Sequence, residues 1–100
     1  MKVVRYHEAA ESELFNAVGY LELRTTGLGR RFLAEIRKAE LFVSKFPGSS
    51  EQIRPGIRKR LLRKFRYSLI YSVEGNDIVI LAVAHASRRP EYWVDRTSPE

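Results

Sequence analysis

The apolar stretch that decides the fold reads Ile78-Val79-Ile80-Leu81-Ala82-Val83-Ala84. A short run rich in β-branched residues predicts a strand, and its continuous apolarity predicts that both of its faces are covered. The turn signal Glu74-Gly75-Asn76-Asp77 precedes it. Before that turn, residues 65–73 alternate. Phe65, Tyr67, Leu69, Tyr71 and Val73 share one face, and Arg66, Ser68, Ile70 and Ser72 share the other. We therefore expect a hairpin of two antiparallel strands.

Outward from this hairpin, the spacing of apolar residues predicts two helices and two further strands. The elements expected in chain order are a strand at residues 2–6, helices at about 7–24 and 29–45, a loop at 48–56 and a basic strand at 57–62. Two helices joined by a short turn form an antiparallel pair that covers one face of a sheet. The predicted class is α+β, in the order β-α-α-β-β-β, with a mainly antiparallel sheet and a short C-terminal segment.

The two helices each show an apolar stripe at helical spacing. The first stripe consists of Ala10, Leu14, Val18 and Leu21, and the second of Phe32, Ile36, Ala39 and Val43, widened by Leu33 and Leu41. Thr25 or Thr26 is expected to cap the second helix. At the other end of the chain, residues 90–94 are expected to form a short helical turn with proline at its first position, and residues 96–100 to fray.

Length and composition limit the classes of protein to which this chain can belong. One hundred residues suit a single domain at 1–100, and 44% hydrophobic content suits a modest core. Without cysteine there is no disulfide framework, thiolate metal site or cysteine nucleophile. We expect no cofactor, no metal site and no contact with a membrane. The sequence shows neither the apolar core of a signal peptide nor a membrane-length apolar run, so a cytoplasmic location is expected.

Charge is unevenly placed along the chain, which has a net charge of +6. From Arg54 to Arg66 there are seven basic residues and no acid, whereas from Glu8 to Glu22 there are four acids and no Lys or Arg. A basic stretch of one sign predicts an acidic or polyanionic partner, either an acidic protein segment or nucleic acid. The alternative is a solvated surface that keeps the protein soluble.

Four motifs in this order resemble the RelE/ParE superfamily of bacterial toxins, and together they cover nearly the whole chain. The motifs are the opening Lys2-Val3-Val4-Arg5-Tyr6-His7-Glu8-Ala9-Ala10; Pro47-Gly48 followed by Arg54-Pro55-Gly56-Ile57-Arg58; Tyr67-Ser68-Leu69-Ile70-Tyr71-Ser72-Val73; and Ile78–His85 followed by Arg88-Arg89. The resemblance implies the toxin of a type II toxin–antitoxin (plasmid stabilisation) module, which inhibits growth. It also implies a hetero-oligomer with an acidic antitoxin, whose flexible segment folds on the toxin.

The resemblance leaves three functions open. A ParE-like toxin binds a protein target such as DNA gyrase and cuts nothing, and this is the interpretation we favour. A RelE-like toxin is a metal-independent endoribonuclease that cleaves messenger RNA on the ribosome. A third possibility is a non-toxic module that only binds its antitoxin. Whether the chain is an enzyme therefore depends on which of the three applies.

The candidate site residues follow from these alternatives. A ribonuclease would use Lys59, Arg66, His85, Arg88 and Arg89, because cleavage needs a proton acceptor, cations beside the phosphate and an acid for the leaving oxygen. Target or antitoxin binding would use Arg58, Arg60, Arg63, Arg88, Arg89 and Tyr92.

Two departures from the ribonuclease pattern favour binding. Ser68 stands where a strand arginine is common, and Trp93, which cannot transfer a proton, stands near a C-terminal tyrosine position. His85 is interpreted either as an acid or base, or as a structural histidine that ends a core strand and binds backbone.

Overall fold

A computed structural model gives the structure of residues 1–97. In chain order its elements are β1 (Val3–Tyr6), α1 (Glu8–Arg24), α2 (Leu28–Lys45), β2 (Glu51–Arg54), β3 (Ile57–Leu61), β4 (Tyr67–Glu74), β5 (Asp77–His85) and a 3-10 turn at Val94–Arg96. The five strands form one sheet in the order β1-β5-β4-β3-β2. β1 runs parallel to β5, and the other neighbours are antiparallel. The predicted α+β class is confirmed.

The central strand β5 is covered on both faces, as its uninterrupted apolar sequence predicts. On one face Ile78, Ile80 and Val83 pack with the two helices in the main core. On the other face Val79, Leu81 and Ala82 pack in a second cluster, which includes Trp93 of the C-terminal segment (residues 86–97). The register between β4 and β5 shifts between Ile70 and Tyr71, so the pairing skips Leu81. This bulge explains why two consecutive residues of β5 face the same side.

The helical stripes pack largely as periodicity predicts. Ala10, Leu14, Leu21 and all four residues of the second predicted stripe are buried. Ala17 replaces Val18 as the fourth buried residue of α1. Leu41 does not widen the buried stripe, since 47% of its surface remains exposed. Leu41 lies two residues from both Ala39 and Val43 and so points away from the stripe, where a helical residue faces solvent unless a neighbouring element covers it.

The cap of α2 also differs from the prediction, because neither threonine supplies it. Glu22 of α1 does so instead: its carboxylate accepts the backbone N–H groups of Gly27 at 2.8 Å and Gly29 at 3.0 Å. These are N–H groups that a helix leaves without an intrahelical partner. Their hydrogen bonds, led by that of Gly27, lower the pKa of Glu22. One of the acids of α1 thus serves the turn between the helices.

Two predicted segments need correction. The expected loop at 48–56 contains the edge strand β2, which pairs with β3 through a tight turn at Pro55-Gly56. Gly56 has a φ of 76°, as the second central position of a type II turn requires. At the C-terminus the helical turn lies at Val94–Arg96 rather than at 90–94, and Arg96 is anchored rather than frayed. The rest of the expected frayed end, residues 98–100, lies outside the described residues.

Candidate functional site

A cavity of about 290 Å³ lies between the C-terminal segment and the sheet face that the helices leave free. We call it the C-terminal pocket. Its apolar lining comes from Ile53 of β2, Ile70 of β4, Ala84 of β5 and Trp93. Trp93 belongs to the second core cluster and is only 4% exposed. The pocket therefore rests on well-packed strands and has a buried indole at its C-terminal side.

The polar lining of this pocket gathers most of the ribonuclease candidates. Lys59, His85, Arg88 and Arg89 all line it, together with Ser68. The fifth candidate, Arg66, does not line it. Arg66 lies in the connection from β3 to β4, where its carbonyl oxygen accepts the N–H of Ala86 at 2.7 Å. The alternation of β3 explains the position of Lys59, because it pairs with Ile70 and so shares the free face.

His85 ends β5 at the mouth of the pocket, with its ring held by local contacts. Its Nδ1 accepts the backbone N–H of Ser87 at 3.0 Å and lies 2.8 Å from the Ser87 hydroxyl. The ring meets Tyr67 edge to face, with 4.9 Å between the ring centroids. Because Nδ1 accepts a backbone hydrogen bond, the neutral ring carries its proton on Nε2.

Tyr92 and Arg88 form the C-terminal wall of the pocket. The Arg88 guanidinium stacks over the Tyr92 ring, 3.7 Å from its centroid. The Tyr92 hydroxyl donates a hydrogen bond to Glu13 at 3.0 Å. Burial, followed by the Glu13 carboxylate, raises the pKa of Tyr92 to about 12. The hydroxyl therefore stays protonated well above neutral pH, with its proton directed at Glu13.

Glu13 is the residue of this site that sequence reasoning missed. Glu13 is one of the four acids between Glu8 and Glu22, yet its side chain is only 16% exposed. It binds Tyr92, Arg96 and the backbone of Val83. Of the four acids of α1, Glu13 and Glu22 are thus engaged within the protein, while Glu8 and Glu11 remain exposed. Two of the four acids that the sequence places on this helix are therefore occupied by contacts within the protein.

The predicted binding residues do not form one surface. Arg88, Arg89 and Tyr92 border the C-terminal pocket, whereas Arg58 and Arg60 pair with Tyr71 and Leu69 and so lie on the helix side of the sheet. Strand alternation separates the two groups, and it also separates Lys59 from its two neighbours. Arg58, Arg60 and Arg63 therefore lie on one surface, and Arg88, Arg89 and Tyr92 on another, on opposite faces of the sheet.

The second surface, which we call the helix-side basic surface, consists of Arg58, Arg60 and Arg63. The Arg60 guanidinium lies 3.8 Å from the centroid of the Phe42 ring of α2. Arg58 donates a hydrogen bond to the carbonyl of Ser50 at 2.8 Å. A cavity of about 250 Å³ between α2 and β3 is lined by Arg60 and Arg63. Within residues 1–97, none of the three arginines forms a salt bridge with a carboxylate, so this surface keeps its positive charge.

A family model described as "ParE toxin of type II toxin-antitoxin system, parDE" matches residues 4–90. The chain belongs to this family. No curated protein matches the sequence. Among solved structures, the fold is similar to one described as "Chromosomal ParDE TA system from P. aeruginosa". The TM-score is 0.70 at 18% identity, over 85% of this chain and 96% of that chain. A likeness at this identity supports the fold, whereas the family match supports the assignment as a ParE toxin.

The match to the ParE toxin family ends at residue 90, before the residues that close the pocket. Tyr92, Trp93 and Arg96 lie beyond it. Across the part of the chain that the structure describes, no group of three or more His, Asp or Glu side chains is placed to hold a metal ion. Neither described helix is long and apolar enough to cross a membrane.

Proposed function

We propose that this member of the ParE toxin family inhibits bacterial growth by binding a protein target such as DNA gyrase, and that an acidic antitoxin neutralises it. The observation that carries this proposal is the family match over residues 4–90. On this proposal the chain is not an enzyme. Its basic surfaces recognise acidic protein segments, and the complex with the antitoxin is a hetero-oligomer.

The groups around the C-terminal pocket support binding over cleavage. A metal-free ribonuclease needs a side chain whose pKa lies near neutrality and whose proton can reach the reacting oxygens. Tyr92 does not meet this need, since its pKa is about 12 and its hydroxyl donates to Glu13. Trp93 is buried, and its indole N–H donates hydrogen bonds but does not transfer its proton. Lys59, Arg88 and Arg89 with an apolar floor instead suit a carboxylate flanked by an apolar side chain.

The helix-side basic surface supports the antitoxin part of the proposal. Its arginines are free of intramolecular carboxylates within the described chain, and the guanidinium of Arg60 is held flat on Phe42. Arginine presents several N–H donors in one plane and can form two parallel hydrogen bonds to a single carboxylate. An acidic segment that folds along α2 and β3 would meet both these charges and the apolar side chains of Phe42 and Leu62 in the cavity beside them. A short acidic protein encoded next to this chain is the expected partner.

A RelE-like endoribonuclease is the second candidate, because one specific observation favours it. Lys59, His85, Arg88 and Arg89 come from distant positions in the sequence and line the same pocket. Such a set could hold a phosphate, with the His85 imidazole as the group that would transfer a proton. This candidate differs from the first in a single testable respect, which is whether the pocket acts on RNA or binds a protein.

Expression of the chain in bacteria separates these functions. We expect growth arrest with induced DNA-damage signalling and intact messenger RNA, measured together in the same culture. Rapid cleavage of ribosome-bound messages that is lost in His85→Ala and Arg88→Ala, but kept in Arg31→Ala, would establish the ribonuclease instead. Arg31 is the control because it is exposed on α2 and does not line the C-terminal pocket. If growth continues normally, neither toxic function applies, and the remaining function is that of a non-toxic module that binds its antitoxin.

A further inference from the structure

The edge of the sheet next to β5 is incomplete. β1 pairs with β5 only as far as Tyr6 opposite Ile80, after which the chain turns into α1. The remainder of β5 therefore has no strand on this side. Two side chains bind its backbone instead: Glu13 Oε1 accepts the N–H of Val83 at 3.0 Å, and Arg96 Nη1 donates to the carbonyl of Leu81 at 3.1 Å. Part-buried backbone groups thus gain the partners that they require.

The second oxygen of Glu13 binds the C-terminal segment. Its Oε2 accepts from the Tyr92 hydroxyl at 3.0 Å and from Arg96 Nη2 at 2.9 Å, and it lies 3.8 Å from Arg88 Nη1. The side chains of Glu13 and Arg96 are 16% and 18% exposed. One carboxylate thus joins α1, the open edge of β5 and the segment that closes the pocket. Charge-assisted hydrogen bonds in so sheltered a place are stronger than exposed ones.

The polar and apolar sides of the segment are fixed by different contacts. Trp93 packs in the second core cluster, whereas Glu13 holds the charged side. Arg88 and Arg96 both lie over the Tyr92 ring, at 3.7 and 5.1 Å from its centroid. Without the Glu13 carboxylate, two guanidinium groups would face one ring with no counter-charge between them. The expected result is a loosened segment and a displaced Arg88.

We propose that Glu13 is a positioning residue, which holds residues 86–97 so that Arg88 and Tyr92 form the wall of the C-terminal pocket. Its role in target binding rests on the proposed function, whereas its role in holding the segment does not. The carboxylate acts from α1, on the helix side of the sheet, on a pocket built mainly on the other face. Its partners Tyr92 and Arg96 lie beyond the residues that the family match covers.

Native-state hydrogen exchange of the purified chain tests the positioning role. In Glu13→Gln, the amides of Val94 and Arg96, which bind carbonyls within the segment, are expected to exchange about tenfold faster, as the loss of a charge-assisted hydrogen bond implies. The amides of β4 are expected to keep their rates. Glu11→Gln, the same change at an exposed site of the same helix, should alter neither group.

If the amides of the segment and those of β4 both exchange faster to the same extent, the proposal is overturned, because Glu13 would then support the whole fold rather than the segment. Unchanged rates throughout would also overturn it. If Glu13→Gln does not fold, Arg96→Gln is the substitute variant, because it removes the other member of the same ion pair. We expect it to increase the exchange rates of the segment as well. Where all variants fold, the effects of the two changes should be less than additive in the double variant, since both remove the ion pair between Glu13 and Arg96.

Growth inhibition gives the functional readout. We expect Glu13→Gln to weaken growth inhibition while Glu11→Gln keeps it. A Glu13→Gln protein with a loosened segment and full growth inhibition would contradict the positioning role in target binding and leave the proposed function standing. If no variant, including the unaltered chain, inhibits growth, the proposed function fails, while the exchange rates still decide whether Glu13 holds the segment.

Discussion

Replacement of Trp93 by alanine tests whether the C-terminal segment is an integral part of the fold. Trp93 is 4% exposed and contributes the only large aromatic ring among the buried residues of the second cluster. Truncation of a buried Trp to Ala removes apolar contacts and leaves a cavity, at a cost of about 3–5 kcal/mol. A domain of this size has a free energy of unfolding of roughly 5–15 kcal/mol, so the loss is a large fraction of the total.

The assay is urea unfolding followed by far-ultraviolet circular dichroism, which does not depend on the tryptophan. In thermal unfolding of the same proteins, a loss of about 3 kcal/mol lowers the melting temperature by roughly 12–24 °C for a chain of this length. Phe15→Ala is the control, because 67% of that side chain is exposed and its loss should change stability by less than about 0.5 kcal/mol. If Trp93→Ala costs less than about 1 kcal/mol with an unchanged denaturant slope, the C-terminal segment does not complete the second core cluster.

Three further changes test the helix pair and the tyrosine at the pocket. Gly29→Ala should destabilise by about 1–3 kcal/mol, because an added Cβ would lie 2.6 Å from the carbonyl oxygen of Val18. Gly19→Ala, where a Cβ meets nothing within 4 Å, should instead stabilise by about 0.5–1 kcal/mol, and thermal unfolding measures both. Tyr92 has a folded pKa of about 12 against an ordinary value of 10.0, so its stabilisation is complete below pH 10 and is lost as the pH rises through 12. Tyr92→Phe should therefore show a smaller loss of stability across that range, and an equal loss in both proteins would mean that folding does not raise the pKa of Tyr92.

The core of this protein could be predicted from sequence because its signals are local. The 3.6-residue spacing of α2 and the continuous apolar run of β5 both identify buried positions without knowledge of the partners. β2 could not be found in this way. Ile53 is its only apolar residue, and it exists as a strand because it pairs with β3. Its existence depends on a neighbour rather than on its own pattern.

The site was harder to predict, since its key contacts join distant parts of the chain. Glu13 lies 70 residues from Val83, 79 from Tyr92 and 83 from Arg96. Helical spacing places Glu13 beside Ala10 and Ala17, at the edge of the buried stripe, but this spacing does not reveal which distant groups its carboxylate binds. By contrast, the sequence was sufficient to predict that the basic residues lie on two faces of the sheet. Alternation along β3 alone separates Lys59 from Arg58 and Arg60, and a stricter use of the two-residue period would have found two surfaces.

Inhibition of purified DNA gyrase is the most direct test of the central claim that this chain acts on a protein and does not cut RNA. We expect the chain to stop supercoiling at concentrations near that of the enzyme, and we expect an acidic antitoxin to restore activity. Supercoiling that continues unchanged while the same preparation cleaves messenger RNA on ribosomes would contradict it.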